Sequence, residues 1–285
     1  MPSQLTLVTE DGLSIAATVF EASPQTASET VVISCATGVL ARYYRRYAEF
    51  LAAQGFRTVT FDYRGIGGSS VGALGSLRGR WSDWGRYDLD AVLGYALQSG
   101  PSSGRVSLIG HSFGGFAAGL APQGRSLSRI LAIGAQHAFW LDYRRQQKLA
   151  FWYRWHLQMP ALTLRLGYYP GKKLGLTEDL PRGVALDWAR SPRNFTRGQP
   201  ELRENLAAVT APLTALASSD DPYATRRATQ RMLRYYSSAP SSVAFLNPER
   251  YGERSLGHFA LFQSRFENSF WAETVDYLHD GDPWR

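Results

Sequence analysis

A serine hydroxyl becomes a useful nucleophile only with a base beside it and an acid to orient that base. Ser112 lies in "RVSLIGHSFGGFAAGLA", residues 105–121, where an apolar run ends in Gly-His-Ser-Phe-Gly-Gly and small residues follow. The pattern Gly-x-Ser-x-Gly occurs three times in the chain, around Ser70, Ser102 and Ser112. The motif alone therefore chooses nothing; its surroundings do. A serine raised on a sharp turn needs a strand ending just before it and a helix starting just after it. "GSSVG" runs on into loop and "GPSSG" precedes a strand, whereas Ser112 has "VSLIG" behind it and "FGGFAAGLA" ahead. Such a turn holds the serine in a strained backbone conformation, expected at positive φ. Gly110 and Gly114 would remove side chains that collide across it. The helix N-terminus would then favour negative charge developing near Ser112. The bland reading is a plain glycine-rich loop, and the partners decide against it.

On a strand–turn–helix scaffold of this kind those partners should follow in the order acid, then base, each in a loop beyond a later strand. "LTALASSDDPYAT" ends a strand near Ser218 and offers Asp220 and Asp221, with Pro222 able to start a helix. "VAFLNPERYGERSLGHFALF" places His258 beyond the last expected strand and before the last helix. Of the other histidines, His111 suits packing at the turn, His137 and His156 fall in or beside an irregular stretch, and His279 is near the end of the chain.

The elements that must position these residues alternate. "LTLVTEDGLSIAATVFEA" reads as a hairpin about Asp11-Gly12. "ETVVISCATG", "RTVTFDYRG", "RVSLIGHS" and "RILAIGA" are short apolar runs of the kind buried on both faces of a sheet. Helical spacing separates them, as in "RYYRRYAEFLAAQGF", where Tyr43, Tyr47, Phe50 and Leu51 share a face and Gly55 stops the helix. Strand–helix alternation predicts a parallel sheet with right-handed crossovers and helices on both faces. The rhythm breaks over residues 137–208, which show no clear strand, then returns with "APLTALASS", "YATRRATQRMLRYY", "SSVAFLN" and a final helix through "FALFQSRFENSFWAETVDYLHD". One domain over 1–136 and 209–285, interrupted by a mostly helical insertion, accounts for this.

The 285 residues suffice for one full core. The net charge is +7, but the basic residues are mostly scattered arginines, which argues against a nucleic-acid partner. A single cysteine, Cys35, excludes an internal disulfide and reads as a buried thiol. No basic start leads into an apolar stretch, and no window approaches the roughly 18 apolar residues of a membrane span. The expectation is a soluble cytoplasmic protein.

"ATGV", "DYRGIGGSS", "LIGHSFGG", "SSDDPYAT" and "SLGHFALF" together resemble successive blocks of the α/β-hydrolase family, in particular bacterial serine aminopeptidase-like and lysophospholipase-like hydrolases. The resemblance covers the chain outside the insertion. It implies a mostly parallel central sheet of about eight strands, with Ser112 as nucleophile and His258 as base. It implies Asp221 as acid, with Asp220 as fallback. Two backbone N–H groups would hold the oxyanion: that of Phe113, and, by matching Gly38 to the family's glycine, that of Val39. The family's His-Gly reads Thr37-Gly38 here. The "RGIGGS" loop also matches a family block; it lacks the lysine of a phosphate-binding loop.

In this fold such an insertion commonly forms a lid. Phe151, Trp155 and Met159 recur at i, i+4 and i+8, with Trp152 and His156 beside them. Most of these rings would pin the lid to the core, and Trp140, Trp152 and Trp155 are candidates to line an acyl or aromatic pocket. The heptad-like pattern could instead serve a homodimer through the lid. The leading expectation is a serine hydrolase cleaving a carboxylic ester, thioester or amide of a small acyl substrate through acyl-Ser112, with no metal and no organic cofactor. The rivals are an acyltransferase or other biosynthetic enzyme using the same triad, and a non-catalytic binding protein on this fold.

Overall fold

The computed structural model describes residues 2–22, 29–70, 72–279 and 281–284. Val71 of "GSSVG" and Asp280, the expected end of the last helix, lie outside the described residues. The hairpin forms as β1 (Ser3–Val8) and β2 (Ser14–Phe20), paired antiparallel about Asp11-Gly12. Its alternation of apolar and polar residues gives β2 one buried face and one half-exposed face. The continuous apolar runs become β3 (Glu29–Ser34), β4 (Phe56–Phe61) and β5 (Val106–His111), buried at every position, and β6 (Arg129–Ile133), buried after its first residue. After the insertion come β9 (Leu213–Ser218) and β10 (Ser241–Leu246); β7 (Tyr168–Tyr169) and β8 (Leu180–Pro181) belong to the insertion.

The strand order is β1-β2-β4-β3-β5-β6-β9-β10. The hairpin is antiparallel to β4, and every pair from β4 to β10 is parallel. This is the mostly parallel eight-stranded sheet expected above. The crossover from β3 through α1 (Arg45–Ala53) to β4 moves one way along the sheet. The crossover through α2 (Asp90–Ser99) to β5 moves the other way. Right-handed connections then put α1 and α2 on opposite faces. On the α1 face lies α9 (Ala272–His279), tied on where Tyr47 Oη donates to Thr274 Oγ1 at 2.7 Å. The reversal of direction leaves a crevice at the carboxyl ends of β3 and β5, where parallel sheets bind ligands.

Helix α3 (Phe113–Ala117) follows β5 at once, and α8 (Arg226–Leu233) follows β9. Between β6 and β9 the chain leaves the sheet. It forms a continuous helical run from Lys148 to Leu166: α4 (Lys148–Trp152), a wider π-turn and α5 (Met159–Leu166). The β7–β8 ribbon, α6 (Arg182–Ala189) and α7 (Pro200–Ala208) complete it. The ribbon corrects the expectation that no strand occurs here. Two residues per strand are too few to leave a period in the sequence.

Candidate active site

Ser112 is the one non-glycine among the described residues with positive φ, at φ 54° and ψ −119°. Such a conformation costs an ordinary residue about 1–3 kcal/mol and persists only where its surroundings impose it. Here they do. Ser112 N–H donates to the Ile133 carbonyl at 2.9 Å, fixing the turn to β6. A Cβ on Gly110 would stand 2.4 Å from Gly115 Cα, and one on Gly114 would stand 2.1 Å from the Ser34 carbonyl oxygen. Only glycine allows β5, α3 and the end of β3 to approach so closely. The side chain of Ser112 faces a cavity at the carboxyl ends of the strands.

Asp221 and His258 meet beside it. His258 Nδ1 lies 2.7 Å from Asp221 Oδ2, and the Asp221 side chain is almost wholly buried. The other carboxylate oxygen, Oδ1, accepts the Tyr223 and Ala224 N–H groups at 2.8 and 3.0 Å. Tyr223 stands edge-on to the His258 ring. Asp220 turns the other way. It accepts from Ser218 Oγ, from Ser255 Oγ at 2.6 Å, and from the Leu256 and Gly257 N–H groups at 3.2 and 3.1 Å. Burial alone would raise its pKa, but these donors outweigh burial and hold the carboxyl below its usual value. Asp220 thus fastens the segment that carries His258, and Asp221 touches the ring itself.

His111 ties the site together from beneath. Its Nε2 lies 2.9 Å from the His258 carbonyl oxygen, which can only accept, so Nε2 carries the proton. Its Nδ1 then accepts from Tyr44 Oη at 2.7 Å, and Tyr44 Oη in turn accepts the Ala36 N–H at 3.1 Å. One buried chain of hydrogen bonds therefore joins the loop after β3, the Ser112 turn and the His258 loop. Burial pushes the His111 pKa well below its ordinary value, which keeps the ring neutral.

The cavity, of about 90 Å3, is lined by Ser112, Phe113 and His258 below and by Trp81, Trp155 and Trp188 around them. Of the three tryptophans expected to line a pocket, Trp155 does so. Trp140 packs against His156, and Trp152 points to solvent. The helix explains the split: Trp155 shares a face with Phe151 and Met159, whereas Trp152 is turned away. Trp81 and Trp188 carry no signal of their own in the sequence. Trp81 stacks on Phe113 and donates through Nε1 to Thr37 Oγ1 at 3.1 Å. The assignment to Val39 is corrected by the same loop. Val39 N–H is engaged by the Ala36 carbonyl at 3.1 Å, while Thr37 lines the cavity next to Ser112 and Phe113. The turn that Gly38 permits at φ 68° points the Val39 N–H back into the loop.

No group of three or more potential metal ligands occurs among the described residues.

Comparison with the curated proteins finds no match. Among solved structures, the chain is similar to a soluble variant of monoglyceride lipase from Saccharomyces cerevisiae in complex with a substrate analogue. The TM-score is 0.69 at 15% identity, over 100% of this chain and 96% of that one. An esterase from Pyrococcus furiosus gives a TM-score of 0.62 at 15% identity, over 99% and 91% of the two chains. A hydrolase from Pseudomonas aeruginosa gives 0.59 at 19% identity, over 97% and 98%. At such identities these likenesses concern the fold. The family described as serine aminopeptidase, S33, matches residues 25–247, which takes in the parallel strands of the sheet from β3 to β10, Ser112 and Asp221 and stops short of His258. The chain therefore belongs to the S33 serine aminopeptidase-like family of α/β-hydrolases.

Proposed function

We propose that this hydrolase cleaves a carboxylic ester, or a thioester or amide, of a small apolar acyl group through an acyl-Ser112 intermediate. One observation carries the proposal: Ser112, strained on its turn, shares a small cavity with His258, and His258 Nδ1 is engaged by the buried Asp221. Asp221 fixes the tautomer in which Nε2 can take the Ser112 proton. His258 would return that proton to the leaving group and then activate water for deacylation. The N–H groups of Phe113 and Thr37 would hold the oxyanion. Residues 1–136 and 209–285 supply this machinery, and residues 137–208 act as its lid, contributing Trp155, Met159 and Trp188 to the cavity wall.

The cavity limits the acyl group. Its volume of about 90 Å3 is below the roughly 150 Å3 of a cavity that holds a benzene ring, so short aliphatic acyl groups fit better than aromatic ones. A panel of nitrophenyl esters of increasing chain length tests this. Acetyl and propionyl esters should turn over fastest, and Ser112→Ala should lose turnover altogether. Full turnover by that variant would overturn the mechanism. Transfer of the acyl group to an added alcohol in preference to water would move the activity to acyl transfer.

A further inference from the structure

The helical run from Lys148 to Leu166 is apolar on two sides. Its inner side packs Phe151, Trp155 and Met159 into the protein. Its outer side presents Leu149, Tyr153, Leu157 and Leu164, at i, i+4, i+8 and i+15, with Trp152 and Leu166 beside them; Leu149 is 79% exposed. Nine of the twelve large hydrophobic side chains that are exposed among the described residues lie between Leu141 and Leu176. A surface helix in water ordinarily sets polar residues opposite its buried stripe; here apolar residues stand there as well.

The charge of the same stretch says what. From Tyr143 through Thr177 there are seven Lys and Arg and no Asp or Glu, and all three lysines of the protein are among them. Lys148 and Arg165 flank the apolar stripe. Lys172 pairs with Glu178, just past the end of the stretch. We propose that this face docks on an anionic lipid surface, with the leucines and aromatic rings in the headgroup layer and the cations against lipid phosphates. An apolar stripe bordered by Lys and Arg is built for that boundary. The run lies on the surface and does not cross it, since no helix among the described residues is long and apolar enough to span. A second copy of the chain is the poorer occupant: a two-fold contact would set the cations of this stretch against their own copies, with Lys172 alone already paired to an acid. Arg154 and Leu176 belong both to this stretch and to the cavity lining, so the cavity borders the docking face. The proposal concerns binding and stands whether or not Ser112 cleaves an ester.

Flotation with vesicles tests it. The full protein should float with phosphatidylcholine vesicles containing about one-third phosphatidylglycerol, float less with phosphatidylcholine alone, and be released by high salt. The exposed triple variant Leu149→Gln, Tyr153→Gln, Leu157→Gln should lose binding by roughly tenfold or more. Lys148→Gln with Lys173→Gln should lose about fivefold per charge on the anionic vesicles alone. Circular dichroism of each variant should remain that of the wild type. Absence of binding to either vesicle, or unchanged binding by the folded triple variant, would overturn the proposal. So would a wild-type dimer in sedimentation equilibrium that the triple variant dissolves, because the occupant would then be a second copy.

Discussion

Asp220 and Asp221 stand side by side in the chain, yet they bond to different things, and substitution should separate them. Asp221→Asn keeps the shape but removes the charge that holds His258 in its tautomer; kcat should fall about 10³–10⁴-fold. Asp220→Asn leaves the His258 ring contact in place and weakens the ties to Ser218, Ser255, Leu256 and Gly257. Its kcat should fall far less, by about tenfold. Equal losses would mean that the two carboxylates have been assigned wrongly. Tyr44 tests the buried chain beneath the site. Tyr44→Phe leaves both the Ala36 N–H and His111 Nδ1 without their partner. An orphaned buried group costs about 1–3 kcal/mol, which urea unfolding would register. Ser112 and His258, which line one cavity, were legible as candidates through their places beside strands and helices, and the sequence left two aspartates, of which Asp221 touches His258. The sequence did not show Tyr44, because a tyrosine on an amphipathic helix start looks like core until its hydroxyl is seen between two loops.

At the scale of elements, the strands of the sheet were legible because β3 to β6, β9 and the hairpin differ in period and in apolar content. Continuous runs marked the buried parallel strands, and alternation marked the half-exposed edge. The insertion was legible as an interruption and opaque in detail. Trp81 reaches the cavity from a loop with no regular period, and Trp188 reaches it from α6, far along the chain. Neither residue type nor spacing encodes which ring closes over Ser112; packing between distant segments does. The error at Val39 has a similar origin, since the direction of a single N–H depends on the turn around it. Trp155 offers the test at this scale. It is 4% exposed and forms part of the cavity wall. Trp155→Ala should enlarge the cavity and move the preferred nitrophenyl ester to longer chains, with a stability cost of about 3–5 kcal/mol. Loss of all activity with no change in chain-length preference would place Trp155 outside the acyl site.

For the whole molecule, burial of histidines links the fold to pH. Burial lowers the His137 pKa from 6.5 to about 4, while its Nε2 donates to the Pro192 carbonyl at 2.8 Å. Below pH 6.5 the unfolded chain takes up a proton at this residue and the folded chain does not. Its contribution to stability is therefore intact above pH 6.5 and is lost on acidification, at about 1.4 kcal/mol per pH unit, until about pH 4. His137→Gln can keep the hydrogen bond and removes the titration. The stability of the wild type, followed by urea unfolding, should fall more steeply between pH 6.5 and 4 than that of the variant. Parallel curves would mean that His137 is reached by water and protonates in the folded state.

The central claim is that the fold activates Ser112. Intact-mass measurement after incubation with a fluorophosphonate tests it most directly, because the probe reports nucleophilicity without requiring the substrate. One adduct on the wild type and none on Ser112→Ala is the expected result. An adduct that persists on Ser112→Ala, or none on a wild type that still hydrolyses esters, would contradict the account.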